Sequence, residues 1–103
     1  MKQPETAIAR KLVRLIEGDG GWAFKVHGSP FQLAGIPDVV GCYRGLFFGI
    51  EVKVPGKKPS KIQNYRLRCI REAGGIGFWG DDASVMFEEL KTQTQIGCPR
   101  TTE

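Results

Sequence analysis

The chain has little of what many enzyme and scaffold classes depend on. It contains three cysteines and one histidine in 103 residues. Cys42, Cys69 and Cys98 are odd in number and widely spaced, a pattern that suggests neither a disulfide framework nor a CxxC zinc site. His27, as a lone histidine, is more often a structural or surface residue than a catalytic one. No apolar run reaches membrane-spanning length, so no membrane partner is expected. The opening MKQPETAIARKLVRLIEG is a charged amphipathic stretch rather than a signal peptide. There is no internal repeat and no low-complexity linker. The cysteine usage fits a reduced, cytosolic setting.

What is present reads as one globular domain: 41% hydrophobic and 25% charged residues, enough for a single core and too apolar for a disordered chain. The net charge of +4 and a pI near 9.2 lean towards polyanionic partners. Position sharpens this. From Asp81 onward five acids face two bases, so the first eighty residues carry +7. The basic surface belongs to the body of the domain.

The periodicity predicts a helix over 4–18, with Pro4 in its first turn, an apolar stripe of Ile8, Leu12, Leu15 and Ile16, and Gly18 as its stop. GGWAFKVHG alternates as a strand, and SPFQLA reads as a loop. GIPDVVGCY and LFFGIEVKV form a hairpin through Arg44-Gly45. PGKKP breaks the chain. A second helix starts at Ser60, where Ser-x-x-Gln to Gln63 is a capping box, and Gly74-Gly75 closes it. IGFW is a fourth strand and DASVMFEELK a short last helix, while TQTQIGCPRTTE has no assignment. The expected class is α/β, a mixed sheet flanked by helices in the order α-β-β-β-α-β plus a short C-terminal helix. The domain is expected to span residues 1–91, with 92–103 as a tail.

Three charges interrupt the apolar hairpin. A period of two places Phe48, Ile50, Val52 and Val54 on one face of the second strand, and Phe47, Gly49, Glu51 and Lys53 on the other. Gly49 is expected to leave room beside Glu51 and Lys53 for another group. A Glu/Lys pair alone would be an ordinary half-solvated strand face. Asp38 changes that reading. It follows Pro37, which cannot donate to a ladder, at the entry of the first strand. The turn can then bring Asp38 against Glu51. Two such carboxylates repel unless a cation or shared proton compensates, and hard oxygen ligands open to water suit Mg²⁺ or Mn²⁺. Lys53 is placed to act on water or on an anionic substrate. On the first helix Glu5 lies about 35° from the centre of the apolar stripe and Glu17 about 155° away. Glu5 is either a third acid of this site or an acid favouring the helix dipole.

GIPDVVG, then GIEVK after a short hairpin, then KPSKIQ, resembles the virus-type replication-repair nuclease domain (VRR-NUC), a branch of the PD-(D/E)XK nuclease superfamily. The resemblance runs from about Glu5 to Trp79. It implies a restriction-endonuclease-like core. Asp38 and Glu51 match the metal-binding acids, the Val52 carbonyl a further ligand, Lys53 the motif lysine, Glu5 the first-helix acid and Gln63 a glutamine following the hairpin. It implies Mg²⁺- or Mn²⁺-dependent hydrolysis of DNA to a 5′-phosphate and a 3′-hydroxyl. Stand-alone members resemble dimeric junction resolvases, so the resemblance implies a homodimer acting on branched DNA such as a four-way junction, in a prokaryotic or phage-infected cell.

Lys57, Lys58 and Lys61 straddle the loop after the catalytic strand and read as a phosphate track, with Lys25 and His27 as further nucleic-acid contacts. Arg66, Arg68 and Arg71 stay open between track and solvated surface. Trp22, Phe24 and Trp79 read as core or interface residues. Two alternatives accompany the resolvase: a monomeric nickase, flap nuclease or exonuclease, and a non-catalytic basic nucleic-acid-binding module.

Overall fold

A computed structural model describes residues 4–28 and 33–96. Helix α1 (Pro4–Gly18) is followed by strands β1 (Trp22–Lys25), β2 (Val39–Tyr43) and β3 (Leu46–Val52), helix α2 (Lys61–Glu72), strand β4 (Ile76–Gly80) and helix α3 (Ala83–Ile96). The strands form one sheet in the order β1-β2-β3-β4. The first three run antiparallel, and β4 joins β3 in parallel after the α2 crossover. This is the mixed, helix-flanked sheet expected.

The β2–β3 turn is two residues long, and both have positive φ, Arg44 at 52° and Gly45 at 82°. That backbone matches the strand twist and sets the register Tyr43↔Leu46 through Val39↔Ile50. One face of the sheet packs on α1 and α3. Leu12 and Ile16 of α1 and Leu90 of α3 meet Val39, Phe48, Ile50 and Val52, none of which is exposed to solvent. Each such side chain contributes about 1.5–3 kcal/mol by leaving water. The other face is covered by α2, but only over β3 and β4. A Cβ on Gly49 would lie 2.6 Å from Ile70 Cδ1 and 3.0 Å from Pro37 Cγ, and one on Gly77 would lie 2.6 Å from the Leu67 carbonyl oxygen. The space expected beside Gly49 is therefore filled by Ile70 and Pro37, and Gly49 serves close helix–sheet packing.

Two further readings change. The last helix does not stop near Lys91 but continues to Ile96, and Thr94 is buried with its hydroxyl donating to the Lys91 carbonyl at 2.9 Å. A polar, Thr- and Gln-rich end hides this turn from a hydropathy reading; residues 97–103 lie outside the described region. Of the two readings of Trp22, Phe24 and Trp79, core or interface, the core one does not hold: 61%, 44% and 39% of each is exposed. The loop assigned to SPFQLA is described only from Leu33 onward.

Candidate active site

The site begins with Pro37. Continuing the β2–β3 register past Val39↔Ile50 puts Asp38 opposite Glu51 and Pro37 opposite Val52. Pro37 has no N–H to offer the Val52 carbonyl, so the ladder ends there. The Val52 N–H turns instead to the Asp38 side chain, donating to Oδ2 at 2.9 Å. On its other side Asp38 stays in the sheet, its carbonyl accepting from the Val26 N–H at 2.7 Å. The carboxylate is thus fixed from both neighbouring strands. Gly35, at φ 79°, lets the preceding loop pass against α2, where a Cβ would lie 2.8 Å from the Ile62 carbonyl oxygen. The Gly-Ile-Pro-Asp run is a device for ending a strand and aiming one acid.

Glu51 is only 2% exposed, and its Oε1 has no hydrogen-bond partner among the described residues. Its pKa is pushed up to about 8, first by burial and then by the charge of Asp38 and a hydrogen bond shared with it; Lys53 pulls the other way. Lys53 Nζ stands 3.5 Å from Glu51 Oε2, with its side chain mostly buried. Its backbone N–H donates to the Gly80 carbonyl at 2.9 Å, carrying the parallel β3–β4 pairing one residue past the strand. Asp38, Glu51 and Lys53 therefore share one side of the sheet at its carboxyl-terminal β3 end, as the period of two predicts.

A buried acid beside a second acid, with one lysine and one unpartnered oxygen, lacks a full complement of positive charge. The available donors, two carboxylates and a backbone carbonyl with no N–H opposite it, are the hard oxygens that Mg²⁺ or Mn²⁺ prefers. The residues fit a divalent ion. Glu5 lies half-buried in the first turn of α1, and Glu17 is exposed. Among the described residues no group of three or more His, Cys, Asp or Glu side chains is placed to hold a metal ion directly.

The capping box at the start of α2 forms as the sequence predicts. Gln63 Oε1 accepts from the Ser60 N–H at 2.8 Å, and Ser60 Oγ accepts from the Gln63 N–H at 3.3 Å. Lys57, Lys58 and Lys61 are exposed along the loop and first turn leading there. Lys25 departs from expectation: it faces α1 and shares a surface hollow with Arg10 and Arg14, on the opposite side of the sheet from Glu51. His27 is exposed beyond the end of β1.

One feature of α2 escaped the sequence reading. Lys61, Asn64, Tyr65, Arg68 and Arg71 line an open groove of about 360 Å³. The signal was the i, i+4, i+7 spacing of Lys61, Tyr65 and Arg68, which places them on one helical face. Arg66 and Arg68 lie 5.3 and 5.5 Å from the centre of the Tyr65 ring, so both guanidinium groups reach this ring. Arg66 also donates to the Ala34 carbonyl, which ties the Gly35 loop to α2.

The fold is similar to that of a solved "VRR_NUC domain" structure, with a TM-score of 0.68 over 91% of this chain and 97% of that one. The two sequences are 21% identical. No family model matches the sequence, and no curated protein matches it.

Proposed function

We propose that this protein is a metal-dependent nuclease of the VRR-NUC type that hydrolyses DNA phosphodiester bonds. The observation that carries this reading is Glu51: a buried carboxylate with an unpartnered oxygen, set against Asp38 and within 3.5 Å of Lys53. A module that only binds nucleic acid has no use for an acid pair held at this electrostatic cost. The shared fold with a VRR_NUC domain supports the same assignment.

Asp38, Glu51 and the Val52 carbonyl would hold Mg²⁺ or Mn²⁺. When bound, the ion supplies positive charge at the scissile phosphate and makes water more acidic. The chain's own residues do the rest. The Val52 N–H keeps Asp38 in place. Lys53 orients the attacking water and offsets the negative charge that builds on the phosphorus centre. Water forms the new P–O bond and the bond to the 3′ oxygen breaks, leaving a 5′-phosphate and a 3′-hydroxyl. Lys57, Lys58 and Lys61 receive the phosphates flanking the cut, and the α2 groove extends that track through Arg68. A homodimer with paired sites would make symmetric nicks in a four-way junction.

The test is cleavage of labelled single strands, duplex, flaps and four-way junctions with and without Mg²⁺ or Mn²⁺. Lys53→Ala should lower the rate by about 10²–10³-fold, the range for loss of one group that stabilises developing negative charge. Cleavage undiminished in Lys53→Ala, or unaffected by a chelator, would sink the reading. Paired nicks across a junction mark a resolvase; single nicks or end-dependent digestion mark the nickase or exonuclease alternative.

A further inference from the structure

Tyr65 is the one aromatic ring on α2, and 45% of it is exposed, on the outer side of a helix whose Leu67 and Ile70 face the sheet. At about 100° per residue, Arg66 stands to one side of it and Arg68 to the other, with guanidinium groups 5.3 and 5.5 Å from the ring centre. The two arginines are held differently. Arg66 is tied to the Ala34 carbonyl at 2.9 Å, whereas Arg68 reaches only Glu72, at 3.9 Å and with both side chains well exposed. The Arg68 side of the ring is the one that opens into the groove with Lys61, Asn64 and Arg71. We propose that this groove binds unpaired nucleotides of a DNA strand, one base stacking on Tyr65 in the place Arg68 now takes. The inference deepens the nuclease reading by naming a substrate class for it, DNA with a single-stranded segment, and rests on that reading only for the strand's course towards Glu51.

The side chains of the groove suit a base as well as a phosphate. A track for duplex backbone needs cations alone, because paired bases are stacked away inside the helix. This groove adds a flat ring and an amide. Asn64, next to Tyr65 in the chain, offers one acceptor and two donors, which can pair with the edge of an unpaired base. Lys61, Arg68 and Arg71 supply positive charge for the phosphates on either side. Arg71 also donates to the Gly77 carbonyl at 2.9 Å, which fixes the groove against β4. When a base takes the ring, the Arg68 guanidinium gives up a ring contact and a loose ion pair for a charge-assisted bond to phosphate. Arg66, held by Ala34, stays behind the ring. The dimensions agree. A volume of about 360 Å³ falls among the roughly 300–1,000 Å³ of small-ligand sites. Lys61 to Arg71 spans about 15 Å of helix, or about four steps of a strand stacked at about 3.4 Å. The groove begins at Lys61, where the Lys57–Lys58 loop that leaves Lys53 ends, so a strand lying in it starts beside the acid pair.

Binding is measured with the Glu51→Gln protein in chelator, so that no strand is cut. Fluorescence anisotropy compares a labelled oligothymidine with a duplex of the same length. Tyr65→Ala should weaken the single strand by about 5–150-fold, the equivalent of one lost base stack, and leave the duplex nearly unchanged. Its circular dichroism should match the parent, since the ring is exposed, and Tyr65→Phe, which keeps a ring, should restore strand binding. Salt separates ring from charge: Tyr65→Ala should keep the log–log slope, whereas Arg68→Ala should reduce it by about 0.7. A strand carrying 5-iodouracil should cross-link to Tyr65 on irradiation, read by mass spectrometry of the peptides. Equal losses on strand and duplex overturn the proposal, as does a strand indifferent to Tyr65→Ala. A cross-link to Trp22 or Phe24 instead would put the stack on the open half of the sheet and also overturn it. Deoxyadenosine monophosphate binding as tightly as the oligonucleotide would make the groove a site for a free nucleotide, a further refutation. No readout uses cleavage. A protein that binds strands at Tyr65 and cuts nothing refutes the nuclease reading alone, and a nuclease indifferent to Tyr65→Ala refutes this inference alone.

Discussion

Pro37 stands opposite Val52 in the β2–β3 register, and the Val52 N–H is bonded to the Asp38 carboxylate at 2.9 Å. A residue unable to donate thus ends a ladder and hands one backbone donor to an acid. The opposing Val52 carbonyl is left without an N–H from Pro37. Strand termination and site construction are one event in this hairpin.

The first prediction concerns Glu51 and pH. Its folded pKa, about 8, lies above the ordinary 4.5. Between those values the folded protein keeps a proton that the unfolded chain has released. In metal-free protein stability therefore falls as pH rises from about 5 to 8, at up to roughly 1 kcal/mol per pH unit, and levels off above. Urea denaturation at pH 6 and pH 9 should show this loss in the parent. In Glu51→Gln, which stays neutral, the loss should be markedly smaller.

Metal should act as a ligand of the folded state. Mg²⁺ or Mn²⁺ at about a hundred times its Kd adds roughly 2.7 kcal/mol, which raises Tm by several degrees. The shift should vanish in Glu51→Gln and on chelation. It should also grow with pH up to about 8, because an ion must displace the Glu51 proton. Thermal melts at pH 6.5 and 8.5 with and without the ion measure both effects.

Gln63 is half of the capping box and, from the resemblance, also a candidate catalytic residue, and the two roles can be separated. Ser60→Ala removes one half of the capping box and should cost about 1 kcal/mol in urea denaturation. Gln63→Ala removes the other half at similar cost. If Gln63 also touches substrate, its variant should lose cleavage that Ser60→Ala retains at matched folded fraction.

For the phosphate track, binding should be followed against salt with the Glu51→Gln protein to prevent cleavage. Each true phosphate contact among Lys57, Lys58, Lys61 and Arg68 should reduce the log–log slope by about 0.9 when changed to Ala. Lys25→Ala, on the α1 side of the sheet, should leave that slope nearly unchanged.

The order of elements could be read before the structure because each rests on local physics. The i, i+3, i+4 stripe marked α1, the Arg44-Gly45 turn marked the hairpin, and Ser60 with Gln63 marked the start of α2. The shared side of Glu51 and Lys53 followed from the pleat alone. The end of α3 was not legible, since Thr94 is polar by type and buried only by its position in the packed helix. Nor was the Lys61–Arg68 groove, which needed the helix phase to be read across three polar residues at once.

The sequence by itself determined which residues share a strand face and that Asp38, Glu51 and Lys53 meet, because alternation and a two-residue turn are local constraints. Tertiary structure decided how dry that meeting place is. Leu67 and Ile70 of α2 seat themselves on Gly77 and Gly49, covering one half of the sheet face, and burial together with the charge of Asp38 lifts the pKa of Glu51. The same helix stops short of β1 and β2, leaving Trp22, Phe24 and Phe47 in water. Burial depends on where a distant helix lands, and no local pattern of residues encodes that.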